Sequence, residues 1–186
     1  MSYKFTSNYF GTCDLKDTLE KYIDKTKLWK ILEIGSFEGS SATYFSDNML
    51  DHPDSSLVCV DPWISSDPTT PFTTSGYLTK QTFMDNISKS KNFHKIKIIQ
   101  DFSGEFFKIN KAKFNFVYID GSHLVEDIAR DFRESIKIVE PGGFIALDDY
   151  DTGDGSVKKC IDQIYEENKD KLFLYGVRYQ ILFQVK

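Results

Sequence analysis

Three aspartates and one histidine carry the most chemistry in this chain: Asp120 and His123 in the run Asp120-Gly121-Ser122-His123, and the adjacent pair Asp148-Asp149. Neighbouring strands lie about 4.8 Å apart, so carboxylates on adjacent strand tips can share one cation. Magnesium takes oxygen ligands and keeps positions open for water or substrate, which suits three aspartates and a substrate diol. A hydroxyl bound there loses its proton more readily, and His123, at the start of a helix, could accept it. Taken singly, the same residues have plainer explanations. Turn and capping chemistry before Gly153 accounts for Asp148 and Asp149 equally well, and His123 alone fits a helix-start histidine bonded to a nearby carboxylate. Consecutive strand residues face opposite ways, so Asp148 and Asp149 can hold one ion only if the strand has already ended. An EF-hand over Asp149 to Cys160 fails, because its sixth position is Asp154 and its twelfth is Cys160.

A second constellation lies at Trp29 to Gly39, WKILEIGSFEG. Leu28, Trp29, Ile31, Leu32 and Ile34 make a nearly continuous apolar run, as in a parallel strand covered on both faces. Glu33 interrupts it and is too costly to be packing filler, which predicts a strand-tip carboxylate near a polar ligand. Gly35 and Gly39 bracket a turn that lets backbone approach a bound molecule, with Ser40, Ser41 and Thr43 capping or lining the next helix. The pattern E-x-G-x-x-x-G is not the dinucleotide fingerprint, since Phe37 stands where the middle glycine belongs. A strand-glycine-helix turn with no ligand is the plain alternative.

The elements that must position these residues follow in order. Residues 13 to 26 place Leu15, Leu19, Tyr22 and Ile23 on one helical face. Ala42, Phe45 and Met49 line the helix after the first strand. A second strand, Leu57 to Val60, ends in Asp61-Pro62-Trp63, and an acid at that tip is where a ribose diol is usually held. Ile64 to Gly76 is rich in Ser, Thr and Pro and reads as a loop, a lid or a plain surface connection. A helix from about Tyr77 to Ser90 leads to a strand from His94 to Gln100, ending in Asp101-Phe102. A short helix, Ser103 to Ile109, precedes the strand Phe114 to Ile119, which ends in Asp120. Val125, Ile128, Ala129, Phe132 and Ile136 mark the clearest helix. Pro141-Gly142-Gly143 turns into the strand Phe144 to Leu147, ending in Asp148-Asp149-Tyr150. Val157, Cys160, Ile161, Ile164 and Tyr165 give a last helix, and Leu172 to Tyr175 with Tyr179 to Val185 a hairpin, antiparallel because the connection is short. The expectation is a three-layer α/β fold, a Rossmann-like, mostly parallel seven-stranded sheet with a C-terminal antiparallel hairpin. The chain forms one domain, residues 1–186, with 1–28 as a helical extension. Glu33, Asp61, Asp101, Asp120 and Asp148-Asp149 all fall at carboxyl ends of strands, the edge where open parallel sheets bind ligands.

Composition sets the outer bounds. A formal charge of −5 argues against general nucleic-acid binding, and the cluster Lys89, Lys91, Lys95 and Lys97 reads as a solvated helix end. No apolar run spans a membrane and MSYKFTSNYF is not a signal peptide, which predicts a cytoplasmic protein. Cys13, Cys59 and Cys160 match no zinc or redox spacing, and the last two read as buried thiols.

The order LEIGSFEGSS, VCVDPW, IIQDFSGE, FVYIDGSH and PGGFIALDDY resembles the class I S-adenosylmethionine-dependent methyltransferases from about Trp29 to the C-terminal hairpin. It looks most like the small metal-dependent O-methyltransferases related to macrocin and mycinamicin sugar methyltransferases and cephalosporin-biosynthesis proteins. The resemblance implies that Glu33, Gly35, Ser36, Gly39 and Ser40 surround the methionine part of the cofactor. Asp61 would take the ribose hydroxyls, Trp63 would lie near the adenine or the lid, Asp101 would face the adenine amino group, and the Phe102 N–H would meet a ring nitrogen. Asp120 would border the cofactor and, with Asp148 and Asp149, bind magnesium, while His123 matches the general base. The family's acidic pair is often Glu-Asp. The reading is therefore an O-methyltransferase that uses S-adenosylmethionine and magnesium on a sugar or similar polyhydroxylated acceptor, with a homo-oligomer left open. The alternatives are a non-catalytic cofactor-binding or scaffold protein of the same fold and, against the missing glycine, a nicotinamide-dependent oxidoreductase.

Overall fold

The structure is a computed structural model that describes residues 2–7, 10, 14–22, 24–64, 76–151, 153–177 and 179–186. Its centre is β1 (Lys30–Ile34), where Ile31 to Ile34 are all buried. Leu32 and Ile34 point into one hydrophobic core and Ile31 into another on the opposite face. That double coverage explains why the strand reads as continuous apolar sequence rather than as alternation.

The remaining elements are α1 (Asp14–Tyr22), α2 (Ser40–Met49), β2 (Ser56–Val60), α3 (Gly76–Ile87), β3 (Ile96–Ile99), α4 (Ser103–Ile109), β4 (Phe114–Ile119), α5 (Val125–Ile138), β5 (Val139–Leu147), α6 (Ser156–Glu167), β6 (Leu172–Val177) and β7 (Ile181–Val185). They form a seven-stranded sheet in the order β3-β2-β1-β4-β5-β7-β6. The pairs from β3 through β5 are parallel, and β7 runs antiparallel between β5 and β6. This is the expected architecture, with the short connection after Val177 forcing β7 to reverse. One core packs α4, α5 and α6 through residues such as Phe106, Phe132 and Ile161; the other packs α1, α2 and α3 through Leu19, Phe45 and Phe83. Tyr118 belongs to the second core while Val117 and Ile119 face the first. Strand order reverses direction between β1 and β4, so their carboxyl ends open the crevice in which such sheets bind ligands.

Several boundaries differ from expectation. Pro141-Gly142-Gly143 lies within β5 as an irregularity: Val139 pairs with Phe114, and regular pairing resumes at Phe144 with Phe116. Gly142, at φ 82°, supplies the backbone reversal that lets the strand continue past it. His94 and Lys95 form a 3₁₀ turn before β3, held by the bond from Lys95 N–H to the Asn92 carbonyl. The hairpin bends near Tyr175, where pairing skips from Leu174 to Gly176. Ile23, Cys13 and residues 65–75 of the expected lid loop lie outside the described residues. Cys59 is buried and Cys160 half-buried. Lys91 pairs with Asp51, and Lys95 Nζ donates to the Leu50 and His52 carbonyls, so these two lysines serve the fold.

The described N-terminal residues are not only helical. Residues 2–7 form no helix or strand and are clipped to the body by Lys4 N–H to Asn86 Oδ1 at 2.9 Å and by Thr6, whose N–H and hydroxyl donate to the two Glu38 oxygens at 2.6 and 2.8 Å.

Candidate functional site

The turn after β1 is built almost entirely from its own hydrogen bonds. Gly35 adopts φ 83°, and a Cβ there would sit 1.9 Å from the Asp120 carbonyl oxygen, so only glycine lets the β1 and β4 ends approach this closely. Glu33 is fully buried below the turn and accepts from the Ser36 and Ser41 hydroxyls. Burial pushes its carboxyl up to about 7, against those two hydroxyls and the Cys59 thiol. Asp61, from the tip of β2, accepts the Ser36 and Phe37 N–H groups at 2.8 and 2.9 Å and the Trp63 N–H at 2.6 Å. Burial raises the Asp61 carboxyl despite these three donors. Trp63 closes the circle by donating its indole N–H to the Phe37 carbonyl at 2.9 Å and packing 5.0 Å from the Phe83 ring. Phe37 and Trp63, at φ 46° and 50°, hold left-handed conformations that this mesh over-determines.

Among the described residues a cleft of about 930 Å³ runs from this turn across the carboxyl edge of the sheet. Gly35, Ser36, Ser40, Asp61, Trp63 and Phe102 line one part of it; Asp120, His123, Asp148, Asp149 and Tyr179 line the other. Its size is at the upper end for small-molecule sites, which leaves room for a cofactor and an acceptor together.

The second part is short of counter-charge. Asp120 is pushed well above the usual carboxyl range by burial first, then by the charges of Asp148 and Asp149. Asp148 is raised by burial and by Asp149. The Tyr118 hydroxyl lies 3.1 Å from Asp120 Oδ2 and 3.3 Å from Asp148 Oδ2. Asp148 Oδ1 is buried without a hydrogen-bond partner, and the Gln180 amide, near enough to favour the ionised carboxyl, does not close a bond to it. An orphaned oxygen beside a second carboxylate is a donor set that suits a hard cation. The three aspartates do not converge, however. Asp149 turns instead to His123, whose Nδ1 lies 2.6 Å from Asp149 Oδ2, and to the Tyr179 hydroxyl, which donates to Oδ1 at 2.6 Å. Among the described residues no three His, Cys, Asp or Glu side chains are gathered closely enough to hold an ion as they stand. Burial would raise Asp149, but donation from His123 and Tyr179 holds it below its usual range; the same contact raises His123, against its partial burial.

The structure thus brings Gly35, Ser36, Ser40, Asp61, Trp63, Phe102, Asp120, His123, Asp148 and Asp149 to one cleft. Glu33, Gly39 and Asp101 are not among its lining residues. Glu33 supports the turn from beneath, and at Gly39, whose φ is 84°, a Cβ would press within 2.9 Å of the Phe83 ring. Asp101 turns back to accept the Phe102 N–H at 2.8 Å, the group expected to meet an adenine nitrogen. Tyr118 and Tyr179 carry no sequence signal of their role, because each reaches the acids only through the packing of β4 and the hairpin. Phe10, packed against Tyr118, and Arg130, bonded to Asp127 and Ser103, also line the cleft.

A family model described as "Methyltransferase domain" matches residues 32–150. No curated protein matches the chain by sequence. Among solved structures it is similar to the O-methyltransferase TomG from Streptomyces achromogenes, involved in tomaymycin synthesis and solved with SAM: TM-score 0.62, 17% identity, 87% of this chain and 74% of that one. It is also similar to an O-methyltransferase from Bacillus cereus in complex with SAH, at TM-score 0.61 and 16% identity over 84% and 74% of the two chains. An rRNA methylase from Streptococcus thermophilus gives TM-score 0.62 and 10% identity over 91% and 92%. At these identities the likeness is one of fold. No helix among the described residues is long and apolar enough to cross a membrane.

Proposed function

Because the chain belongs to the methyltransferase-domain family, we propose that it transfers the methyl group of S-adenosylmethionine to a hydroxyl oxygen of a small, polyhydroxylated acceptor such as a sugar. The observation that carries this reading is the continuity of the cleft: the Asp61-locked glycine turn and the His123–Asp149 contact line one space. S-adenosylmethionine supplies an electrophilic methyl group on a sulfonium, and in-line transfer forms the C–O bond as the C–S bond breaks. Asp61 and the backbone of residues 35–36 would hold the ribose and methionine parts, with Trp63 walling the cleft. His123 Nε2 would take the acceptor's hydroxyl proton, while the walls of the cleft fix the oxygen in line with the methyl group. Magnesium held by Asp120 and Asp148 would place positive charge beside that oxygen and ease its deprotonation. The resemblance to sugar methyltransferases and the diol-binding capacity of such an ion favour a glycoside acceptor over a catechol. An RNA acceptor is disfavoured by the formal charge of −5 and by the internal engagement of Lys91 and Lys95.

Calorimetric titration with S-adenosylhomocysteine, with and without magnesium, tests the reading. Binding, together with a separate saturable magnesium site, is the expected outcome, followed by turnover on a glycoside panel. No binding under either condition would overturn it, and protection by NAD instead would revive the oxidoreductase.

A further inference from the structure

We propose that Asp149 is not a cation ligand but, together with Tyr179, the positioning pair that aims His123, leaving the cation to Asp120 and Asp148. The inference rests on the methyl-transfer reading above and assigns the acidic pair unequal tasks within it. Three observations carry it. First, the His123 side chain is 65% exposed, so packing alone does not fix its ring, whereas Asp149 is only 17% exposed and well placed to anchor it. Second, both Asp149 oxygens accept short bonds, Oδ2 from His123 Nδ1 and Oδ1 from the Tyr179 hydroxyl, each at 2.6 Å. Third, Asp149 takes φ 53° immediately after Asp148. That left-handed residue lies just past the end of β5, and its carboxylate is engaged by His123 and Tyr179 while Asp148 Oδ1 has no partner. Such strain in a non-glycine residue persists only where surrounding contacts hold it, and here the Tyr179 carbonyl also accepts the Asp151 N–H at 3.4 Å, tying the hairpin bend to the same turn.

The consequence is chemical. An imidazole that donates its Nδ1–H to a carboxylate presents the Nε2 lone pair on the other side of the ring, free to take a proton. Tyr179 acts one bond further back: its hydroxyl donates to Asp149 Oδ1 and so holds the carboxylate that meets Nδ1.

The decisive experiment uses ¹⁵N-histidine-labelled full chain, with the His123 signals assigned by their loss in His123→Asn. The neutral ring of the wild type is expected wholly as the Nδ1–H tautomer. In Asp149→Asn the amide can present either N–H or C=O to the ring, so an Nε2–H population should appear; Tyr179→Phe should show a smaller one. Magnesium calorimetry should find affinity retained within about threefold in Asp149→Asn and lost in Asp148→Asn. Turnover should fall on the order of 10² in Asp149→Asn and about fivefold in Tyr179→Phe, with KM for S-adenosylmethionine unchanged in both. Loss of magnesium binding in Asp149→Asn with an unaltered tautomer would overturn the proposal, as would a tautomer indifferent to both substitutions. Because the tautomer is read on the resting protein, failure of S-adenosylhomocysteine to bind would sink the methyl-transfer reading without deciding this one.

Discussion

The two parts of the cleft are built on opposite principles. Around the glycine turn, nearly every polar group is matched within the protein: Asp61 takes three backbone N–H groups, Glu33 takes two hydroxyls, and Trp63 donates back to Phe37. Around Asp120 and Asp148, like charges crowd together, an oxygen is left unpaired, and the neighbouring histidine is largely exposed. The first part is finished before any ligand arrives, and its shape alone can select a cofactor. The second part is finished only by something positive or by a donor from the acceptor. Stability and function are therefore separable here. Defects in the turn should cost both folding and cofactor affinity, whereas defects at the acidic end should cost turnover or cation affinity and leave folding intact.

Gly35→Ala puts the strongest strain on that contrast. The new Cβ would meet the Asp120 backbone at a distance no real contact tolerates, in a conformation already unfavourable for an L-residue. The left-handed strain of roughly 1–2 kcal/mol and the overpacking of roughly 1–3 kcal/mol act together. Thermal unfolding should show a large fall in Tm, and calorimetry the loss of S-adenosylhomocysteine binding. A variant with normal Tm and normal binding would show that the turn is not preorganised. His123→Ala should do the reverse. Turnover falls by roughly 10² to 10⁴, the usual contribution of a positioned base, while Tm and cofactor affinity stay near wild type. Unchanged turnover would remove His123 from the chemistry, and a loss of cofactor affinity would mean the two parts are not independent.

The same contrast explains what could be read from the chain alone. Strand tips were legible because the hydrophobic runs of β1, β2, β4 and β5 end abruptly in acids, and parallel topology sends those ends to one edge. Side-chain direction beyond the tip was not, because it depends on local φ and on tertiary partners. Asp101 and Asp61 read alike in sequence, yet Asp101 folds back on the Phe102 N–H while Asp61 reaches across to the β1 turn. Asp148 and Asp149 read as one pair, and a single left-handed residue gives them different neighbours. The glutamate that interrupts β1 reads as a strand-tip carboxylate near a ligand, whereas in the structure its partners are the Ser36 and Ser41 hydroxyls beneath the turn. Tyr179 reads as the start of a strand but precedes β7, which begins at Ile181, and only the hairpin's docking on β5 brings its hydroxyl to Asp149.

Glu33 supplies the subtlest way to sharpen the comparison, since it is a fully buried acid in the finished half whose proton burial holds into the neutral range. Burial lifts its carboxyl from 4.5 to about 7, so the folded state holds its proton more tightly than the unfolded chain does. The stability this proton brings is fully present below about pH 4.5 and is lost as pH rises through about 7. A shift of that size corresponds to about 3 kcal/mol between the two limits. Glu33→Gln keeps the shape and donor-acceptor capacity of the protonated acid without a titrating group. Its unfolding free energy should therefore fall less steeply than that of wild type between pH 5 and 8, and the two curves should separate most at the alkaline end. Urea denaturation across that range reads the difference directly. Parallel curves would mean that the serine hydroxyls and the Cys59 thiol already carry the full charge of Glu33 at neutral pH, making the glycine turn better compensated than its burial implies.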